Sequence, residues 1–246
     1  VSVRIYAHRG ASAEYPENTM EAFRRAIECG VDALEMDIHA TADGVLVVHH
    51  DPDGKRMCGV PRPIAGVTWN ELRSWNAGAG FVAPDGTRPF VAKPVRIPRF
   101  ADVVSEFAGV PLNVDLKHDI AGPTVTLLRR LGAEARVCLA SFERRTMRRV
   151  RALAYAGPTA LSRAEVIESL LLPPPLRRGP LRVRAARAQL PLSLGRRWVI
   201  RRMRALGLAV DYWTVDDPAV ARRLLQLGAD GIMTNDPARI VPALRA

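Results

Sequence analysis

Short runs of apolar and β-branched residues alternate along the chain with longer stretches in which apolar residues recur every three to four positions. The first pattern marks strands and the second marks amphipathic helices. "VRIYAHR" reads as a strand, and "ENTMEAFRRAIECG" as a helix with Met20, Phe23, Ala26 and Ile27 on one face and Gly30 at its end. "DALEMDIHA" and "VLVVHH" read as two strands joined at Asp43-Gly44, a strong hairpin signal. Residues 52–95 break this rhythm: they are rich in Pro and Gly and hold one short helical stretch, "TWNELRSW". A stretch this long between regular elements reads as an insertion or small cap.

The alternation then resumes. "IPRFADVVSEFA", "AGPTVTLLRRLG", "ERRTMRRVRALA", "RAEVIESLL", "RRWVIRRMRALG" and "DPAVARRLLQLG" read as helices. "PLNVDLK", "RVCLASF", "PTALS", "ARAQLPLS", "LAVDYWTV" and "DGIMTN" read as the strands between them, with "LLPPPLRRGP" as a loop and "PARIVPALRA" as a short final helix. Repeated strand–helix units argue for parallel strands with helices outside. Counting the strand over residues 32–39 but not its hairpin partner gives eight such units, the pattern of a (β/α)8 barrel spanning residues 1–246 as one domain.

Composition fits this picture. A chain of 246 residues, 48% of them hydrophobic, is long enough to bury a substantial core. No apolar run has the length of a membrane span, and the N-terminus lacks a signal-like apolar core, so the chain reads as cytoplasmic. Cys29, Cys58 and Cys138 are far apart and read as free thiols. The net charge is +11, and it is unevenly placed: no acid lies between Glu168 and Asp211, a span holding ten arginines from Arg177 to Arg204. Such a run is either a solvated face or a surface for phosphate groups or an anionic membrane. No interleaved aromatic pattern or nucleic-acid module accompanies it, so nucleic acid is not the expected partner.

In barrels of this kind, chemistry sits at the C-terminal ends of the strands. Those ends carry His8 and Arg9, then Glu35, Asp37 and His39, then Asp115 and Lys117, with Ser141, Gln189, Trp213, Thr214, Thr234 and Asn235 further on. Glu35 and Asp37 share one face of their strand, about 6–7 Å apart. Two such carboxylates repel unless a cation joins them. Hard oxygen ligands suit Mg²⁺ or Ca²⁺, and Asp115 adds a third carboxylate. If Asp43 and Gly44 are the two turn residues, Ala42 pairs with Val45, Ile38 with His49, and Asp37 with His50. This register places His50 on the face of Glu35 and Asp37, and His49 on the opposite face. Two histidines, three carboxylates and the cations Arg9 and Lys117 suit a phosphoryl site, with one imidazole accepting a proton and the other donating one.

The stretches "AHRGASAEYPENTMEAF", "ALEMDIHATADGVLVVHHD", "LNVDLK", "YWTVDDP" and "GADGIMTNDP" together resemble the glycerophosphodiester phosphodiesterases, over nearly the whole chain and in family order. The resemblance implies a TIM barrel with a small insertion after the second strand and its hairpin. It implies catalytic His8 and His50, one divalent cation at Glu35, Asp37 and Asp115, phosphate contacts from Arg9 and Lys117, and Trp213 and Glu17 lining the substrate. Asn18 and Thr19 are implied as residues that order their loop. Three departures stand out: "DLK" replaces the usual ExK, "WNAG" at Trp75–Gly78 replaces LDAG, and "IPRF" replaces IPTL, which would bring Arg99 near the barrel mouth. The implied reaction is hydrolysis of glycerophosphodiesters, such as glycerophosphocholine or glycerophosphoethanolamine, to sn-glycerol 3-phosphate and an alcohol. Two other readings remain open. One is a lysophospholipase D or sphingomyelinase D-like activity at a membrane surface, helped by the Arg-rich stretch and "LLLPPPL". The other is a non-catalytic phosphate- or lipid-binding barrel.

Overall fold

Parallel strands curl into a ring in the computed structural model, which describes residues 3–171 and 185–245. The strands in chain order are β1 (Arg4–His8), β2 (Ala33–Ala40), β3 (Leu46–Val48), β4 (Asp53–Gly54), β5 (Val60–Pro63), β6 (Leu112–Leu116), β7 (Val137–Ala140), β8 (Arg187–Pro191), β9 (Ala209–Trp213) and β10 (Gly231–Thr234). Seven of them pair in parallel in the order β7-β6-β2-β1-β10-β9-β8, and β3 runs antiparallel beside β2. The expected strand "PTALS" contributes only two pairing residues, but they close the ring: Thr159 bridges Leu139 of β7, and Ala160 bridges Arg187 of β8, both in parallel. Helices follow the strands on the outside, as the alternation predicts. Residues 172–184, which hold most of the expected loop "LLPPPLRRGP" and the first four arginines of the basic run, lie outside the described residues.

The core divides into two apolar clusters. One gathers side chains from β1, β2, β6, β7 and their helices, among them Phe23, Met36, Phe100 and Val114. The other gathers Ile5 of β1, Leu190, Tyr212 and Ile232 of β8, β9 and β10, and Val199 and Met203 of the helix Arg197–Ala205. The 52–95 stretch is a cap with a small core of its own: Met57, Ile64, Leu72, Trp75 and Phe81 pack with Val47 of β3. Asn76 of "WNAG" organises it, donating to the Phe90 carbonyl (2.7 Å) and accepting from the amides of Gly78 (3.0 Å) and Val95 (3.2 Å). At the ring's N-terminal end Arg187 forms a two-bond pair with fully buried Asp211 (2.5 and 2.6 Å). Gly231 is required there, because a Cβ would stand 2.3 Å from an Asp211 oxygen.

The hairpin departs from its expected register. Ala40 faces Leu46, His39 faces Val47 and Ile38 faces Val48. The turn has three residues rather than two. The Thr41 hydroxyl donates to Asp43 (2.6 Å) and accepts the Val45 amide (3.0 Å), and Gly44 takes a left-handed φ of 78°. Closing the loop on Thr41 moves every pair by one position, so the expected pairing of Asp37 with His50 is incorrect: the His49 amide bonds the Asp37 carbonyl (2.9 Å). No helix among the described residues is long and apolar enough to cross a membrane. All three cysteines are free thiols.

The helix Arg163–Leu171, which supplies one wall of the central cavity, is tied at its start to Ser162. The Glu165 carboxylate accepts the Ser162 amide (2.8 Å) and hydroxyl (2.9 Å) while pairing with Arg151 (2.5 Å). Burial pushes this carboxyl up, but the Arg151 and Ser162 bonds outweigh it and hold it below its ordinary value. A lowered folded value means the stabilisation is present above the unfolded carboxyl range and is lost as pH falls through it. Glu165→Gln is expected to cost about 2 kcal/mol at neutral pH. The difference from wild type should shrink toward zero in urea titrations at acid pH.

Candidate active site

A cavity of about 590 Å³ opens at the C-terminal ends of the strands. Among its lining residues are His8, Arg9, Glu35, Asp37, His50, Asp115, Lys117 and Trp213. The register explains the convergence on one side: His8 of β1 lies beside Glu35 of β2, and Asp37 of β2 beside Asp115 of β6. Strand alternation turns all four inward.

Asp37 is the best-connected of these groups. One oxygen receives Lys117 Nζ (2.7 Å), and the other receives Asn18 Nδ2 (2.9 Å) and lies 3.2 Å from Arg9 Nε. Lys117 also reaches Asp115 (2.8 Å). Burial raises the Asp37 carboxyl, but Lys117 and then Arg9 overcome this and hold it low. Glu35 is pushed well up, first by burial and then by the Asp37 charge. Asp115 is pushed up by burial in spite of Lys117. Burial lowers the Lys117 ammonium, but Asp37 and Asp115 outweigh it and hold it charged.

Both histidines are oriented by a partner. His8 Nδ1 lies 2.8 Å from Asn235 Oδ1. The Asn235 amide group is fixed by Asp216, which takes Nδ2 (2.9 Å) and the backbone N–H (2.7 Å). The Asn235 oxygen must therefore face His8, so Nδ1 carries the proton and donates it, leaving Nε2 free 3.9 Å from Glu35. Burial, then the Arg9 charge, holds the His8 imidazole below its ordinary value. His50 Nδ1 meets the Asp51 carboxylate (2.7 Å), whose other oxygen takes Arg56 (2.7 Å). Burial pushes Asp51 up, but the Arg56 and His50 bonds bring it down to about 2.

The expected separation of His49 and His50 holds, but for a different reason. β3 ends at Val48, so strand parity does not govern either ring. His49 is buried and bonds the Asp53 carbonyl (3.0 Å) inside the cap, whereas His50 lines the cavity. His39 bonds the His50 carbonyl (3.1 Å) and so braces the turn. Glu17 is not brought to the cavity wall: Arg9 (3.1 Å) and Arg56 (2.6 Å) take its carboxylate. Arg99 is also turned away, paired with Asp102 (2.8 Å) over the ring of Trp69. Thr19 caps the helix Met20–Glu28 as a loop-ordering residue would.

The sequence reading missed the opposite wall. Phe142, Leu161, Val166, Ile167, Pro191 and Leu194 make it apolar, Trp213 meets Phe142 edge to face (5.9 Å), and Arg163 stands at its edge. Asn113 was also missed. It accepts from Gln189 across the ring (2.5 Å), and its position two residues before Asp115 already placed it on the inner face.

Three carboxylates crowd this wall beside two fixed cations, and only one oxygen of Glu35 is engaged, by the Arg9 amide (3.0 Å). Hard oxygen donors crowded in this way fit a divalent cation, whose charge would oppose the burial and repulsion that push Glu35 up. The side chains are not drawn in to ligating distance: among the described residues no three His, Cys, Asp or Glu groups converge that closely, and Lys117 spans Asp37 and Asp115.

A (β/α)8 barrel whose mouth joins two oriented imidazoles to a carboxylate cluster and two cations defines a class of phosphoric ester hydrolases. Residues 8–125 and 123–239 match the glycerophosphoryl diester phosphodiesterase family. The chain belongs to that family, whose members are phosphoric diester hydrolases. The Mycobacterium tuberculosis protein named probable glycerophosphodiester phosphodiesterase 2 is 32% identical over 240 residues, covering 93% of this chain and 86% of the relative. Human lysophospholipase D is 38% identical over 111 residues, covering 45% of this chain and 35% of the relative. The crystal structure of the glycerophosphodiester phosphodiesterase from Agrobacterium tumefaciens superposes with a TM-score of 0.82 at 24% identity, covering 98% of this chain and 100% of that one.

Asn18 holds a left-handed φ of 59° while bonding Asp37 through both side-chain atoms. Asn18→Ala gives up both bonds and keeps the disfavoured backbone. It is expected to lower stability by about 2–3 kcal/mol in urea unfolding.

Proposed function

We propose that the protein hydrolyses glycerophosphodiesters to sn-glycerol 3-phosphate and an alcohol, using His8 and His50 as its proton-transfer pair. The observation that carries this reading is the pair of oriented imidazoles at one cavity wall, beside Arg9 and Lys117. The two cations suit the phosphate oxygens, the guanidinium by its planar fork and the ammonium as a point charge. The partners of the two histidines divide their roles. His50 is oriented by the Asp51 carboxylate and donates the proton to the leaving alcohol oxygen. His8 bonds a neutral amide, which leaves its Nε2 free to accept a proton from the attacking oxygen. The phosphorus–oxygen bond to the alcohol breaks as the bond to the attacking oxygen forms.

Glu35, Asp37 and Asp115 are the residues that would hold a divalent cation, Mg²⁺ or Ca²⁺. Such an ion supplies charge stabilisation at the phosphoryl oxygens. Asn18 and Lys117 keep Asp37 ionised and aimed at that place, and Arg9 tethers Glu35 through its backbone amide.

A second reading, hydrolysis of lysophospholipids, is favoured by the apolar wall of the cavity, which a water-soluble diester does not need. Both readings involve the same bond and the same histidines. Headgroup release from glycerophosphocholine, glycerophosphoethanolamine and lysophosphatidylcholine, measured side by side, separates them.

His50→Ala and His8→Ala are each expected to lower kcat by about 10²–10⁴-fold. His49→Ala should leave kcat within a few-fold while reducing stability by about 1–2 kcal/mol. Equal activity losses at His49 and His50 would sink the assignment. Dialysis against EDTA should remove activity and added Mg²⁺ or Ca²⁺ should restore it. Glu35→Gln should raise the cation concentration needed for half-maximal rate, and metal-independent turnover would contradict that site.

A further inference from the structure

We infer that the rim of the barrel mouth, running from Phe142 round to Val220, docks on an anionic phospholipid surface. In a parallel barrel, the residues that follow a strand and begin the next helix share the face of the active-site cavity. Phe142 follows β7, Leu192 follows β8, and Trp198 and Val220 lie in the first turns of the helices Arg197–Ala205 and Pro218–Leu227. All four are exposed, Phe142 by 56% and Trp198 by 55%. Single exposed apolar residues are ordinary, but these four share one rim. Leu192 and Val220 line one cleft of about 360 Å³ together with Arg196 and Arg223. Ser193 is shared between that cleft and the catalytic cavity, whose apolar wall reaches the rim at Phe142, Ile167 and Arg163.

The charge along the rim matches. Arg163, Arg196, Arg197 and Arg223 are exposed, and none makes an ion pair or a side-chain hydrogen bond among the described residues. Of the nearby acids, Glu168 is taken by Arg144 and Asp217 caps its helix, leaving Glu143 as an exposed carboxylate beside Phe142. Arginines alternating with aliphatic and aromatic side chains suit an interface where headgroup phosphates lie above acyl chains. The aliphatic members would have no use against the phosphates of a nucleic acid, and a second copy of this chain would bring the same positive charge.

The cleft between Arg196 and Arg223 is where a lipid phosphate would sit, with Trp198 at the level of the headgroups. This surface is independent of the hydrolysis reading, because it is tested by binding alone. The full chain should float at low salt with vesicles of mixed phosphatidylglycerol and phosphatidylcholine, and not with phosphatidylcholine alone. Arg196→Gln combined with Arg223→Gln should weaken that partition about 25-fold, or about fivefold per arginine. Trp198→Ser should weaken it several-fold and remove any blue shift of tryptophan emission on vesicle addition. Both variants should keep the wild-type circular dichroism spectrum and the wild-type rate on bis(p-nitrophenyl) phosphate without vesicles. The proposal is overturned if wild type fails to float, if the variants float as well as wild type, if their binding to DNA but not to vesicles falls, or if the rim instead holds the chain as a dimer.

Discussion

The mouth of the barrel depends on keeping one buried carboxylate charged. Asp37 is 2% exposed, and an isolated ionised acid at that depth would shift its proton equilibrium rather than stay charged. It stays charged because its partners arrive from three other segments: Arg9 just after β1, Asn18 in the loop before the first helix, and Lys117 just after β6. Its backbone holds a fourth segment, accepting the His49 amide at the end of the hairpin. Each partner is in turn constrained by the contact. Arg9 and Asn18 both adopt left-handed backbone, and the Asn18 amide bonds the Arg9 carbonyl (2.9 Å). Removing the Asp37 charge would loosen three chain segments at once, including the one that carries His8.

The cavity is two-sided, and the two sides belong to the two apolar clusters. Charged groups come from β1, β2 and β6, whose outer faces pack in one cluster, while most of the apolar wall follows from the segments that pack in the other. A phosphodiester has the matching asymmetry: a charged centre that needs fixed cations and proton donors, and substituents that need room and little else. The same asymmetry continues outward onto the rim, where unpaired arginines lie among exposed apolar side chains.

The residues differ in how legible this was from the chain alone. Strand parity sufficed for Glu35, Asp37, Asp115 and Lys117, because all four sit in or beside regular strands where alternation is strict. It did not suffice for the hairpin. Asp43-Gly44 was read as the whole turn, yet the Thr41 hydroxyl closes the loop one residue earlier, a side-chain preference that a two-residue pattern does not register. His50 still reaches the cavity, since the strand ends before it and the cap redirects the chain. Partnerships across long separations were invisible for a different reason: the bond between His8 and Asn235 spans 227 positions and exists only because β1 and β10 are neighbours in the ring. Glu17 and Arg99 were expected near substrate, but nearby opposite charges claimed them first. The apolar wall was missed because its residues look like ordinary core until the ring shows that they face a space.

The ring is sealed between β7 and β8 by a short segment in which Thr159 and Ala160 make the bridges. That seam is flanked by the segments that build the apolar wall, and the cluster of charged groups lies on the opposite arc. Insertions, deletions or substitutions at the seam would reshape what surrounds the phosphate's substituents without disturbing the Asp37 hub. The barrel thus separates the part of its wall that is open to variation from the part that the Asp37 hub locks in place.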